Sequence, residues 1–433
     1  MIDKRQVYEY LVDFQKRNLP ELIKRDLKIS QTNKIIAIIG PRRAGKTFFL
    51  IQLMKEFLKN GVEKKEMIYL NFEDPRLINI NFEEIKEVIK IHWQIYHGSG
   101  KYLFVDEPQN VNRWEIAIRG IYDEGFKIYI SGSSSKLLSK EISTSLRGRS
   151  LSYLLLPFSF KEYLKIKNKE FNIKEMGSKE KSELLGLIDN FLDFGGFPEV
   201  IKEDIKEEKL RIIESYFELI VFRDIIERYN IKNSKLIKWL IKSIMTSFSK
   251  EISINKIYQT LKSQNMKASK NTLYNYFSLL ENSFFILIIE RFLFSERKKD
   301  LPKNKVYLSD SGYVKLIEFS KNLGKKMENA VFLELIRRKR VLEKITYWKN
   351  VQQEEADFVI NESNKVKSII QVCYDLDNLE TKKREINSLL KASKELKCKN
   401  LIIITFDYEG EENHEWFGIK GKIKFIPLWK WLL

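Results

Sequence analysis

GPRRAGKT at residues 40–47 decides the fold of the first part of this chain, because it has the spacing G-x-x-x-x-G-K-[ST] of a phosphate-binding loop. The apolar run at residues 34–39 before it predicts a buried strand, and the helical spacing of apolar residues over 47–58 predicts a helix after it. In this setting the glycines let backbone N–H groups turn toward the phosphates, and the helix dipole attracts the same anion. The stretch therefore predicts a nucleoside triphosphate site.

The candidate ligands for ATP and Mg²⁺ lie in this loop and at the start of the helix. Lys46 is expected to reach the β- and γ-phosphates, and the Thr47 hydroxyl is expected to ligate Mg²⁺. The residues that we predict to bind the nucleotide are Gly40, Pro41, Arg42, Arg43, Ala44, Gly45, Lys46, Thr47 and Phe48.

A second apolar run, residues 103–107, ends in two carboxylates, Asp106 and Glu107. The carboxyl end of a strand is where an α/β sheet presents its ligand-binding groups. We predict that Asp106 holds Mg²⁺ through water and that Glu107 orients and polarises the attacking water. The alternative is a strand that ends in a solvated acidic turn, but downstream of a phosphate loop the catalytic interpretation is favoured.

Two further catalytic candidates follow the next predicted strand, at residues 127–130. Ser133 lies in the turn after this strand and is a candidate sensor of the γ-phosphate, although serines in turns often only form the turn or cap a helix. Arg149, with Arg147 as second choice, is the candidate for stabilising charge in phosphoryl transfer. An arginine supplied by a neighbouring subunit would imply self-association, as a hexamer or another ring.

Composition narrows the class of protein. The 433 residues suggest about three domains, and a formal charge of +18 favours an acidic partner such as DNA, although Lys-rich surfaces also occur on proteins without one. The two cysteines exclude a disulfide scaffold, and the three histidines are too few and too scattered for a convincing metal cluster. With no signal peptide pattern and no apolar run long enough to span a bilayer, we expect a cytoplasmic protein without a membrane partner.

The chain resembles the AAA-type ATPases of archaea and bacteria that carry a C-terminal nuclease-like domain, and the resemblance covers nearly its whole length. It implies an ATP-dependent, DNA-associated protein with a P-loop core of the ASCE class. The motifs that carry the resemblance are GPRRAGKT at 40–47, NFEDPRL at 71–77, FVDEPQN at 104–110, SGSSSKLL at 131–138, LRGRS at 146–150, LPFSFKEYL at 156–164, FGGFPEV at 194–200, FRDIIERY at 222–229, EADFVI at 355–360 and IIQVCY at 369–374.

The middle of the chain has the pattern of a winged helix-turn-helix. Ser253 and Ser269 each precede a helical pattern as a candidate N-cap, and two apolar strands follow the second helix. The loop at 296–300 would form a basic wing near DNA phosphates. The alternatives are a protein-contact surface or a solvated charged face. The candidate DNA contacts near the start of the second helix are Lys267, Lys270, Asn271, Thr272 and Asn275.

The last part of the chain predicts helix, strand, strand, helix, strand, an order that looks like the PD-(D/E)XK nuclease fold. The positions that match its acids are Glu328, Asp357 and Gln371. Cys373 stands where that family has its catalytic lysine, and Gln371 replaces a carboxylate with a neutral amide, although Mg²⁺ prefers charged oxygen ligands. We therefore expect a degenerate domain kept for DNA binding or assembly, and an active nuclease as the alternative.

Together these patterns predict an α/β protein in four parts. They are a P-loop AAA ATPase core with a parallel sheet at 1–165, a helical lid at 166–232, a winged helix-turn-helix at 233–318 and a restriction-endonuclease-like α/β domain at 319–433. The predicted function is an Mg²⁺-dependent ATP hydrolase that couples ATP turnover to conformational switching or movement on DNA. A nucleotide-gated DNA-binding regulator, an ATP-licensed metal-dependent nuclease and a protein-directed ATPase switch stay open as alternatives.

Overall fold

The computed structural model describes residues 3–133, 146–293, 304–317, 322–363 and 365–433. The chain divides into two compact units. The N-terminal unit comprises Met1–Leu156 with Asn282–Phe284, and the C-terminal unit comprises Pro157–Glu281 with Phe285–Leu433.

The N-terminal unit is built on a five-stranded sheet whose neighbouring strands are all parallel. Its strands are β1 Ile35–Ile39, β2 Met67–Asn71, β3 Tyr102–Asp106, β4 Lys127–Gly132 and β5 Ser150–Leu154. They stand in the order β2-β3-β4-β1-β5. Every residue of β1 is buried, as expected for a parallel strand covered on both faces. The predicted α/β fold with a parallel sheet is thereby confirmed.

The described α-helices of this unit are α1 Lys4–Lys16, α2 Lys46–Lys59, α3 Glu84–Ile95 and α4 Trp114–Asp123. Asp3 caps the start of α1, because its carboxylate accepts hydrogen bonds from the backbone N–H groups of Arg5 and Gln6. Helix α2 contributes Phe49 and Leu50 to a core that also contains residues of β1, β2 and β3. This packing fixes the start of α2, and with it the phosphate loop, at the end of β1.

The C-terminal unit begins with a group of helices. They are α5 Phe160–Ile166, α6 Ser178–Phe194, α7 Pro198–Lys202 and α8 Lys206–Leu219, and a π-helical segment, Ile220–Glu227, continues α8. A capping box begins α5: the Ser159 hydroxyl accepts from the Glu162 N–H at 3.1 Å, and the Glu162 carboxylate accepts from the Ser159 N–H at 2.9 Å.

The middle of this unit combines helices with a small antiparallel sheet. The helices are α9 Ser234–Thr246, α10 Ile254–Ser263 and α11 Lys270–Asn282, and the strands are β6 Lys250–Ile252, β7 Ile286–Glu290 and β8 Asn304–Leu308, in the order β6-β8-β7. Ser253 and Ser269 cap α10 and α11 as predicted, because their hydroxyls accept from the backbone N–H of the third residue of each helix, at 3.4 and 3.0 Å. The predicted wing at 296–300 lies outside the described residues.

The last part of the chain forms a six-stranded mixed sheet in the order β13-β14-β12-β11-β10-β9. Its strands are β9 Glu343–Lys349, β10 Glu355–Glu362, β11 Lys365–Cys373, β12 Leu401–Thr405, β13 Gly410–Trp416 and β14 Ile419–Pro427. The accompanying helices are α12 Leu323–Arg338, α13 Leu379–Leu396 and α14 Leu428–Leu432. Leu389 and Leu390 of α13 share a core with strand residues such as Ile369 and Ile403. None of the described helices of the protein is both long and apolar enough to cross a membrane.

A tight turn at Gly195 and Gly196 packs against Asp310, which is buried after β8. The Asp310 carboxylate accepts hydrogen bonds from the N–H groups of Gly196 at 2.7 Å and Gly312 at 2.8 Å. Burial raises the pKa of Asp310 to about 7, while these two hydrogen bonds lower it. Gly195 has φ +76°, and a Cβ there would lie 1.6 Å from Asp310 Oδ1, so the position accepts only glycine.

We expect Gly195→Ala to lower the melting temperature of the protein, because the left-handed backbone alone costs about 1–3 kcal/mol for a non-glycine residue and the clash with Asp310 adds to it. Gly186→Ala is the matched control. Gly186 lies within α6 with no atom within 4 Å of an added Cβ, so alanine should be neutral or stabilise by about 0.5–1 kcal/mol. Thermal unfolding followed by circular dichroism checks both, and equal melting temperatures for the two variants would contradict the assignment.

Candidate functional site

The candidate nucleotide site lies where three neighbouring strands end. Strand β4 stands between β1 and β3, and all three run in the same direction. The phosphate loop follows β1, Asp106 and Glu107 lie at the end of β3, and Ser133 follows β4. The sheet order therefore brings together side chains that are up to about ninety residues apart in the sequence.

The phosphate loop occupies residues 40–47 between β1 and α2. Gly40 has φ +153°, and a Cβ there would lie 2.1 Å from the Leu155 carbonyl oxygen, so the chain passes the end of β5 too closely for a side chain. Gly45 has φ +92° and directly precedes α2. The Lys46 side chain is buried, and its Nζ donates to the Pro41 carbonyl oxygen at 2.9 Å. The buried ammonium thus lies inside the loop.

Asp106 is surrounded by hydroxyl donors. The Thr47 hydroxyl donates to Oδ2 at 2.6 Å, the Tyr69 hydroxyl donates to the same oxygen at 3.2 Å, and the Ser131 hydroxyl donates to Oδ1. Burial raises the pKa of Asp106 to about 6, and the charge of Glu107 acts in the same direction, while the bonds from Ser131 and Thr47 oppose it. The hydroxyl and the carboxylate predicted to hold Mg²⁺ are therefore in direct contact.

Glu107 lies beside the same loop and is 8% exposed. Its Oε2 accepts from the Ser133 N–H at 3.2 Å and from the Ser133 hydroxyl at 3.1 Å, and Gln109 Nε2 donates to the same oxygen. Its Oε1 lies 3.9 Å from Lys46 Nζ. The backbone of Glu107 is left-handed, with φ +51°, which turns the chain sharply at the end of β3. Ser133, predicted as a phosphate sensor, contacts the predicted base in this structure.

The donor set suits Mg-ATP. A hydroxyl and a carboxylate in contact are oxygen ligands of the type that Mg²⁺ binds, and a buried ammonium next to glycine-permitted backbone suits the phosphates. Lys46 and Thr47 would hold the phosphates and the metal ion, with Asp106 acting on the metal through water.

Several residues of this site escaped the sequence analysis. Ser131 and Tyr69 bind Asp106, and Gln109 binds Glu107; the first two lie at or near strand ends next to β3, which is the signal that could have found them. Arg25 has no such signal, because it lies in a polar segment without a motif. Its guanidinium is buried and donates to the carbonyl oxygens of Ala44 and Leu156, each at 2.7 Å.

Within the described residues, the side-chain contacts of the two candidate arginines do not include the phosphate loop, Asp106 or Glu107. Arg149 Nε donates to Asp123 Oδ1 at 3.2 Å, at the last residue of α4, and its side chain is 32% exposed. Arg147 is exposed, with φ +48°. Among the described residues, the ion pair of Arg149 is thus a surface pair within the chain.

The three nuclease-like positions come together in the C-terminal unit. Glu328 lies on α12, Asp357 on β10 and Gln371 on β11; the Asp357 N–H donates to Gln371 Oε1 at 3.1 Å, and Lys305 Nζ lies 2.9 and 3.0 Å from Glu328 and Asp357. Gln371 Nε2 donates to Glu385 at 2.5 Å. In the described part of the chain, no group of three or more His, Cys, Asp or Glu side chains is arranged to hold a metal ion.

Cys373 lies on the same strand as Gln371 and is buried. Burial raises the pKa of its thiol to about 12, and the charges of Glu385 and Asp375 act in the same direction. The thiol is therefore neutral near pH 7, and it supplies none of the positive charge that a lysine would bring to this position.

The candidate DNA contacts lie on an open surface. Lys267, Lys270, Asn271 and Asn275 are exposed, and Thr272 is half-buried. Lys267 precedes α11, and the other four lie within its first six residues. A groove of about 830 Å³ lies beside them; residues that line it include Tyr258, Lys262, Asn265, Lys267, Ser269 and Thr272.

Three family models match successive parts of the chain: an AAA domain over residues 32–164, a domain of unknown function (DUF8612) over 186–322 and another (DUF4143) over 323–431. The chain is similar to "Uncharacterized protein MJ1544" of Methanocaldococcus jannaschii, with 42% identity over 100% of this chain and 96% of that one. An "Uncharacterized protein" of Haemophilus influenzae is 27% identical over 81% and 85% of the two chains.

Solved structures resemble the chain only weakly. Cdc6p from Pyrobaculum aerophilum has 9% identity and a TM-score of 0.27, over 65% of this chain and 85% of that one. A DNA polymerase III gamma subunit-related protein from Thermotoga maritima has 14% identity and a TM-score of 0.26, over 64% and 99%. Scores at this level support no conclusion. The match to the AAA domain and the similarity to MJ1544 over the whole chain do support a conclusion. The chain belongs to the same family as MJ1544, a family with an AAA-type ATPase domain.

Proposed function

We propose that this protein is an Mg²⁺-dependent ATPase that couples ATP hydrolysis to a conformational change on DNA. The observation that carries the ATPase part is the contact between Thr47 and Asp106, with the Lys46 ammonium and the Glu107 carboxylate beside it. These are the four groups that phosphoryl transfer to water requires: a metal-binding hydroxyl, a metal-binding carboxylate, a phosphate-binding cation and a base.

In the proposed mechanism, backbone N–H groups of the loop and of the first turn of α2 bind the phosphates. The Lys46 ammonium exchanges the Pro41 carbonyl oxygen for phosphate oxygens, a short movement since it already lies within the loop. Bound Mg²⁺ would neutralise charge that develops on the transferred group. Thr47 would hold Mg²⁺ through its hydroxyl, and Asp106 would keep its hydrogen bonds from Ser131 and Tyr69.

Glu107 orients the attacking water and accepts its proton. Ser133 holds one Glu107 oxygen with two hydrogen bonds, which leaves Oε1 for the water. Ser133 then acts as a positioning residue for the base, in addition to its proposed role as a γ-phosphate sensor. Arg149 would leave Asp123 and stabilise the transition state in a neighbouring subunit, which makes self-association part of the proposal.

The C-terminal unit is proposed to bind DNA. Helices α10 and α11 with the small sheet support a winged helix-turn-helix within residues 233–318, with α11 in the major groove. The exposed residues Lys267 and Lys270 carry positive charge at the start of that helix, and the formal charge of the chain is +18. The domain at 319–433 is proposed to be a nuclease-like domain without cleavage activity, because Cys373 is a neutral thiol where a lysine would be needed.

Glu107→Gln is expected to lower the rate of ATP hydrolysis by about 10²–10⁴-fold, because the amide accepts no proton, while ATP binding changes little. Lys46→Ala should lose both ATP binding and ATP hydrolysis. Hydrolysis is measured by phosphate release and binding by fluorescence of a labelled ATP analogue. Glu63→Gln is the matched control. This glutamate is exposed, and within the described residues its side chain forms an ion pair with the nearby surface residue Lys65. Turnover by Glu107→Gln at the wild-type rate would rule out the assigned base.

The proposal also predicts a pH dependence at Asp106. Its pKa of about 6 lies above the ordinary value of 3.8, so the folded protein loses stability as Asp106 ionises between about pH 4 and pH 6, by roughly 3 kcal/mol at 1.4 kcal/mol per pKa unit. Asp106→Asn cannot ionise. The melting temperature of Asp106→Asn minus that of the wild type, both measured without nucleotide, should therefore be larger at about pH 8 than at about pH 4.5. The same difference at both pH values would contradict the buried, charge-sensitive position of Asp106.

DNA coupling is tested by changing Lys267 and Lys270 to Ala together. Each lysine that contacts a phosphate should contribute about 1 to the slope of log affinity against log salt, so the double variant should lose up to about 2 and bind duplex DNA more weakly. Basal ATP hydrolysis should be unchanged. Lys399→Ala, an exposed lysine after α13, is the matched control. DNA binding is measured by fluorescence anisotropy, and ATP hydrolysis is measured with duplex, forked and single-stranded DNA. A hydrolysis rate that none of these DNAs changes would favour a protein-directed switch.

A further inference from the structure

In the C-terminal unit, a buried ion cluster surrounds the side chain of Lys305, on β8. Its Nζ lies 2.9 Å from Glu328 Oε1, 2.5 Å from Glu355 Oε1 and 3.0 Å from Asp357 Oδ1. The Lys305 side chain is 2% exposed, and those of Glu328 and Asp357 are 12% and 10% exposed. An ammonium has three N–H donors, and here three carboxylates surround it. We call Lys305, Glu328, Glu355 and Asp357 the acidic centre.

Several other polar atoms of the acidic centre and its neighbours are also engaged. Asp357 Oδ2 accepts from the Val372 N–H at 2.9 Å, and Glu355 Oε2 lies 3.2 Å from Lys349 Nζ. Gln371 uses its oxygen on the Asp357 N–H. A divalent ion would need several of these oxygens as ligands at about 2.0–2.6 Å. The ammonium of Lys305 already occupies the position between them.

The charges explain why the lysine stays there. Burial alone would lower the pKa of Lys305, but the charges of Glu328, Asp357 and Glu355 outweigh it and raise the pKa well above its ordinary value. Burial raises the pKa of Glu328, with the charge of Asp357 acting in the same direction, while the Lys305 ammonium opposes that rise. Buried carboxylates without a cation nearby would be strongly unfavourable, so the ammonium is the group that makes the acidic centre tolerable inside the protein.

The location of the lysine matters as much as its charge. Lys305 belongs to β8, in the small sheet β6-β8-β7, whereas Glu328 lies on α12 and the other two acids lie on β10 of the large sheet. The segment just after β7 also meets β9 of the large sheet, where the Phe292 N–H donates to the Tyr347 carbonyl oxygen at 2.7 Å. One buried ammonium therefore joins three separate elements of the C-terminal unit.

We propose that Lys305 is an internal replacement for a metal ion: it fills the acidic centre, excludes divalent cations from it, and ties β8 to α12 and β10. This inference does not depend on the proposed ATPase or on DNA binding. It predicts that the carboxylates form a cation site as soon as the ammonium is removed without loss of side-chain length.

The test compares Mn²⁺ binding by calorimetry, without nucleotide, in full-length protein carrying Asp106→Asn so that the nucleotide site contributes little. Added Lys305→Met is expected to bind Mn²⁺ at least about tenfold more tightly than the background protein, and further addition of Asp357→Asn should abolish the gain. Lys365→Met, at an exposed lysine that begins β11, is the control and should gain nothing. The proposal is overturned if protein that retains Lys305 already binds Mn²⁺ through Asp357, or if folded Lys305→Met gains no binding.

A second measurement covers the case in which Lys305→Met folds poorly. Removing the ammonium alone leaves the acids uncompensated, and we expect a lower melting temperature than that of the wild type. The variant Lys305→Met with Glu328→Gln and Asp357→Asn removes two of the acids as well, and it should recover at least about half of that fall. If the balanced variant melts no higher than Lys305→Met alone, charge compensation is not the role of Lys305.

Discussion

Parallel pairing of β1, β4 and β3 is the constraint on which the candidate nucleotide site depends. Because the three strands run in one direction and β4 stands in the middle, their carboxyl ends meet at one edge of the sheet. The hydrogen bond from Thr47 to Asp106 then closes the gap between the loop after β1 and the end of β3. A register shift of one residue in β3 would turn Asp106 to the other face and disconnect the two halves of the site.

Two buried groups of acidic residues in the described part of the chain, around Asp106 and around Lys305, differ in what neutralises them. Asp106 receives its hydrogen bonds from hydroxyl groups, which are neutral, rotate easily and can give way to a cation. Glu328 and Asp357 instead face an ammonium from their own chain. Buried carboxylates are thus neutralised in two ways: by hydroxyl donors at Asp106, where we propose that Mg²⁺ binds, and by an internal ammonium at Glu328 and Asp357.

Much of the N-terminal unit could be predicted from the sequence, because its signals are local. A glycine-rich loop between an apolar strand and a helix, and two acids at a strand end, specify both the element types and the edge of the sheet where they meet. The pairing of Lys305 with Glu328 and Asp357 could not be predicted, since these residues lie on three elements and depend on how the two sheets pack. A lysine inside an apolar strand such as β8 reads as an exposed position until its partners are known. The surface pair of Arg149 with Asp123 depends on packing in the same way.

The guanidinium of Arg25 has a mechanical consequence. One nitrogen donates a hydrogen bond to the carbonyl oxygen of Ala44 in the phosphate loop, and another donates to that of Leu156, each at 2.7 Å. A planar, buried guanidinium has little conformational freedom, so it links the two carbonyl groups rigidly. Leu156 is the last residue before the chain passes into the C-terminal unit. A displacement of the phosphate loop would therefore be felt at Leu156, so Arg25 couples the loop to the segment that follows β5 within the N-terminal unit.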